Sequence, residues 1–111
     1  MSRRQGERLQ DIAVAIREIR AHLVRGSLDD GLIYDAVRMR LLEIGEATKA
    51  LDAELLAHAP DVPWVDIAGM RDRLAHRYFD TDHAIVVATV EHSLQPLHDA
   101  VGRLMPLVPG P

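Results

Sequence analysis

"IYDAVRMRLLEIGEATKA", residues 33–50, decides the fold. Ile33, Val37, Leu41 and Ile44 recur at intervals of three and four, the period of an amphipathic helix. Leu51 and Leu55 carry the stripe onward past Thr48, so the pattern predicts one helix from Asp29 or Asp30 to about Ala57. Leu32, Met39 and Leu42 form a second apolar side, shared with Glu46. A helix with two apolar sides needs two neighbours, either both from its own chain or one from a second subunit. Gly45 stands mid-helix, where glycine costs about 1 kcal/mol relative to alanine. Either another backbone passes close by, or the glycine is simply tolerated.

The same period continues on both sides. Leu9, Ile12, Ile16, Ile19 and Leu23 predict a helix over 5–24, with Gly26 and Ser27 as its stop. "AHAPDVPW", 57–64, breaks the chain with Pro60 and Pro63. Trp64 then opens a third helix reaching about Phe79. A last one runs from about Asp82 towards Met105 on Val86, Val90, Leu94, Leu97, Val101 and Leu104. Pro96 lies inside that pattern and predicts a kink or break. No segment alternates with period two. The expected fold is all-α, a single 1–111 domain built as an antiparallel four- to five-helix bundle, with flexible ends at 1–4 and 106–111.

Composition narrows the function. Hydrophobic residues make up 48% and charged residues 27%, as in soluble globular domains, while aromatics at 4% argue against a sheet sandwich. The absence of cysteine excludes disulfides, thiolate metal sites and thiol nucleophiles. The charged N-terminus has no apolar signal region, and no apolar run approaches a membrane span, so a cytoplasmic protein is expected. A net charge of −4 means that any nucleic-acid contact must come from a local patch. Arg3, Arg4 and Arg8 form one basic stretch, at the N-terminus. His22, His58, His83, His92 and His98 show no metal-ligand spacing and read as surface residues, so no metal site and no cofactor is expected.

The chemistry gathers in "GMRDRLAHRYFD", residues 69–80. On a helix, Ile67, Met70, Leu74 and Tyr78 share the core-facing side and Arg71 flanks it. His76 points outward near Asp72, its i, i+4 neighbour. Arg71 and His76 stand about 140° apart and ~7.5 Å along the axis, so one helix does not converge them. A second copy of the helix across a dimer interface would bring one subunit's arginine to the other's histidine. By spacing alone, the same residues equally suit a salt-bridged solvent face.

Together, "IGEA" at 44–47, "PW" at 63–64, "GMRDRLAHRYF" at 69–79 and Asp82 resemble the HepT-like branch of the HEPN superfamily in order and spacing. Its signature, an arginine, four residues, a histidine, one residue and a tyrosine, is met by Arg71, His76 and Tyr78. The resemblance implies a dimeric helical bundle acting as a metal-independent endoribonuclease, usually the toxin of a toxin–antitoxin pair. It also implies a minimal nucleotidyltransferase antitoxin that adenylylates the motif tyrosine, here Tyr78. Asp72 departs from the family's usual polar residue, often asparagine. With RNA as substrate, His76 would move protons, Arg71 would hold the phosphate, Asp72 would orient the imidazole, and Arg73 and Arg77 would track the backbone. Glu46 either lines the same cleft or pairs with an arginine. The alternative is a non-cleaving binding module that docks the nucleotidyltransferase and is modified by it.

Overall fold

The computed structural model describes residues 2–76 and 79–109. Its elements are α1 (Ser2–Arg25), α2 (Gly31–Lys49), α3 (Ala53–Leu56), α4 (Trp64–Ala75), α5 (Phe79–His92) and α6 (Leu94–Leu104), closed by a 3-10 turn at Met105–Leu107. Among the described residues all regular structure is helical, as the sequence pattern requires.

The apolar stripes meet in one core. Leu9, Ile12, Ile16 and Ile19 of α1 and Val37, Leu41 and Ile44 of α2 are completely shielded from solvent. Leu74, Val86 and Leu104 join them from α4, α5 and α6. Fully burying one such side chain stabilises by roughly 1.5–3 kcal/mol. Antiparallel packing is visible in the polar contacts. Gln5 at the start of α1 meets Ala50 just beyond the end of α2, while Arg20 meets Gln95 at the start of α6. The chain's other end comes back to α1, with Val108 about the site of Gly6. Helix α2 packs against both α1 and α4 of the same chain. Even so, Leu32 remains 80% and Met39 47% exposed.

Three boundaries differ from the sequence expectation. The helix predicted to reach Ala57 stops at Lys49 and resumes as α3. Its break is bridged by Gln5, which donates to the Ala50 carbonyl at 3.0 Å and accepts from the Asp52 N–H at 2.7 Å. The third helix ends at Ala75 with His76 as its C-cap, short of Phe79, and Phe79 opens α5. The last segment breaks at Ser93, three residues before Pro96. Proline lacks an N–H and its ring would collide with the carbonyl four residues earlier, so Pro96 sits in the first turn of a new helix. At the termini, α1 already begins at Ser2, and the 3-10 turn occupies 105–107.

Candidate functional site

Helix α4 is positioned at its N-terminus by Trp64, whose indole N–H donates to the Ala59 carbonyl at 2.9 Å. Trp64, Ile67, Met70 and Leu74 form its buried face. Arg71 therefore emerges on the flank towards α2, where the two backbones pass closely. A Cβ added at Gly45 would stand 2.9 Å from the Arg71 backbone nitrogen and 3.0 Å from its Cβ. The glycine is required by that approach. Helices this close leave room for little more than hydrogen atoms at the crossing.

One residue further along α2, Glu46 accepts a hydrogen bond from Arg71 Nε at 3.0 Å. Glu46 thus pairs with the motif arginine, and the two line one cleft. That cleft, about 610 Å³, opens between α1, α2 and α4 and is also lined by Arg8, Asp11, Glu43 and Ala75. Asp72 sits at its edge, 3.9 Å from Arg71 Nη1 and 3.9 Å from Lys49 Nζ. Arg71 is half exposed, so its guanidinium is open to an anionic ligand while Glu46 fixes its Nε edge.

Arg73 turns back along its own helix and donates to the Asp66 carbonyl at 2.9 Å. His76 is exposed at the C-cap with αR backbone angles, outside the lining of the Arg71 cleft. Ala75, the residue before His76, does line that cleft. Arg77 and Tyr78 lie outside the described residues.

A second polar group lies behind the motif, and the sequence reading passed over most of it. Arg38, only 9% exposed, donates to the Leu74 carbonyl in the last turn of α4 and reaches Asp82 Oδ2 at 3.9 Å. Asp82 is 2% exposed. Tyr34 stacks on His83, ring centroids 5.2 Å apart and planes 14° from parallel. His83 is thus half-buried against an aromatic ring, a correction to its reading as a surface residue. Burial first and the Asp82 carboxylate second push the Tyr34 phenol above its ordinary pKa; Arg38 opposes them and Asp35 adds to them. One signal was available in the sequence. Arg38 and Gly45 are seven residues apart and so share a helix face.

Among the described residues no group of three or more potential ligands could hold a metal ion, and no helix is long and apolar enough to cross a membrane. No solved structure matches the chain. A probable ribonuclease HepT of Thermococcus cleftensis is 34% identical over 94% of this chain and 98% of its own length. A provisionally named RNase of Caldanaerobacter subterraneus subsp. tengcongensis is 31% identical over 87% of each chain. The family model described as ribonuclease HepT-like matches residues 9–104, nearly the whole bundle, and the chain belongs to that HepT-like ribonuclease family.

Proposed function

We propose that this protein is a metal-independent endoribonuclease, the toxin of a toxin–antitoxin pair, working in the cytoplasm with Arg71 and His76 as its reacting centre. The observation that carries this reading is the half-exposed guanidinium of Arg71, fixed through Nε by Glu46 at the mouth of a cleft, five residues before an exposed histidine. RNA supplies its own nucleophile. The 2′-oxygen bonds to phosphorus as its proton leaves, the bond from phosphorus to the 5′-oxygen breaks, and that oxygen takes up a proton. His76 suits the proton transfers because imidazole titrates near neutrality. Arg71 suits the phosphorane, where a planar fork is worth most as charge builds. Asp72 supports the pair from the cleft edge, and Arg73 and Arg77 follow the RNA backbone.

A homodimer completes this site. Leu32, Met39 and Glu46 recur every seven residues and so share one side of α2, and the first two are exposed. A second protomer laid along that stripe comes to the Arg71 cleft and supplies its histidine there. In this reading a minimal nucleotidyltransferase antitoxin adenylylates Tyr78 and so places bulk and negative charge where RNA phosphate must bind.

A second reading, a non-cleaving module that docks the nucleotidyltransferase, is favoured by the carboxylates of Asp72 and Glu46 beside Arg71, which repel phosphate. The test is cleavage of labelled RNA in EDTA by the wild type, His76→Ala and Arg71→Ala, with Tyr78 confirmed by mass to be unmodified. Cleavage by the wild type alone, leaving cyclic phosphate ends, supports the nuclease. Intact RNA throughout favours the binding module.

A further inference from the structure

We infer that Arg38 is a positioning residue for His76, tying the end of α4 to the start of α5 through the Leu74 carbonyl and the Asp82 carboxylate. The inference rests on the ribonuclease reading for its catalytic consequence, and on geometry alone for the tie itself. Its two anchors stand at positions 74 and 82, and the segment between them contains His76, Arg77 and Tyr78.

The chemistry at each anchor is that of a helix end. Carbonyls in the last turn of α4 have no partner within the helix, and the summed peptide dipoles make that end negative. Arg38 meets both needs by donating to the Leu74 carbonyl and bringing a full positive charge. Asp82 lies at the fourth position of α5, where the positive end of that helix favours a carboxylate. A guanidinium presents several N–H groups in a rigid plane, so one side chain serves both anchors; an ammonium is a single point of charge.

The tie is also fixed from behind. Arg38 projects from α2, and its side chain is 11% and that of Asp82 3% exposed, so water competes little for the hydrogen bond to Leu74 and screens little of the ion pair with Asp82. Arg38 is 36 residues from Leu74 and 44 from Asp82, so neither contact belongs to local helix formation. Seven residues along the same α2 face, Gly45 seats Arg71 against the same helix. One face of α2 therefore sets the place of Arg71 directly and that of His76 through the two anchors. Arg38 itself, buried and outside the cleft lining, does not touch RNA in this scheme.

The test compares the wild type with Arg38→Met/Asp82→Asn, which removes the tie without stranding a buried charge, and with Arg38→Lys, which keeps the charge but not the fork. Hydrogen exchange is read across the amides from Ala75 to Asp82 and across α1, and RNA cleavage is read as kcat and KM. Exchange should quicken in the 75–82 segment only. A positioning loss of this kind should lower kcat about 10-fold or more with KM within about 2-fold, and Arg38→Lys should fall between. If the double variant fails to fold, Arg38→Lys carries the same two readouts. Unchanged exchange between 75 and 82 overturns the tie, and a raised KM with kcat intact overturns the positioning role. If the wild type shows no His76-dependent cleavage, the ribonuclease reading fails separately, and the exchange result still decides whether Arg38 holds the segment.

Discussion

Gly45 and Arg71 share one crossing point: where an alanine at 45 would place its Cβ, the Arg71 backbone nitrogen is only 2.9 Å away. The obstacle is main chain, so it cannot rotate aside as a long side chain can. Gly45→Ala should therefore push α4 from α2, costing about 1–3 kcal/mol as overpacking does, and should lower RNA cleavage by displacing Arg71. Gly102→Ala is the control. Nothing lies within 4 Å of its added Cβ in α6, so alanine there should stabilise by about 0.5–1 kcal/mol. Thermal unfolding of the two variants should show opposite signs.

Glu46 both holds Arg71 and competes with its ligand. Glutamine at 46 keeps an oxygen to accept from Arg71 Nε but removes the charge, leaving the guanidinium oriented and its field uncancelled. Glu46→Gln should tighten RNA binding by about 5-fold at low salt, the effect of ~1 kcal/mol for one exposed charge. The gain should shrink as added salt screens the site. Stability should hardly change, since exposed pairs contribute about 0–1 kcal/mol. Fluorescence titration of the His76→Ala background with labelled RNA checks this, and weaker binding by the glutamine variant would refute it.

The bundle was legible because the stripes of α1, α2 and α6 repeat cleanly; most of the stripe residues are buried, while Leu23, Ile33, Leu55 and Val90 are partly buried against the core. The break after Lys49 was hidden because "KALD", 49–52, contains neither glycine nor proline. What accommodates it is Gln5, 45 residues away in sequence, a tertiary partner that no local pattern reveals. Arg71 could be placed on the flank of α4 from the wheel, but its partner could not be chosen among several carboxylates. Arg38 was overlooked for a related reason. An arginine beside Val37 and Leu41 reads as a solvated edge until the end of α4 is known to lie against it.

Gln5 accordingly offers a sharp test of that break. Its amide satisfies an acceptor at Ala50 and a donor at Asp52, both at the α2–α3 junction. Gln5→Ala leaves both backbone groups without this partner and should destabilise by about 1–3 kcal/mol. Gln5→Glu keeps the acceptor for Asp52 but loses the donor to Ala50, and should be destabilising at neutral pH as well. Urea unfolding with an unchanged m-value would confirm a loss of stability rather than a change in the unfolded state.

Asp61 gives the fold a small acid-sensitive tie. The hydrogen bond from Arg103, 2.6 Å long, leads the effects that hold its carboxyl below the usual aspartate range, with a backbone hydrogen bond and the arginine's charge adding to it. A carboxyl depressed on folding stabilises the native state above its unfolded pKa of about 3.9, and that contribution is lost as pH falls through the lower folded value. Asp61→Asn should therefore melt slightly below the wild type at pH 6, and the two should converge as pH drops below 4. The effect should be small because the pair is exposed to solvent, and salt should reduce it further. Parallel melting curves across that window decide the matter. A constant gap would mean that Asp61 acts through packing or its neutral hydrogen bonds rather than its charge.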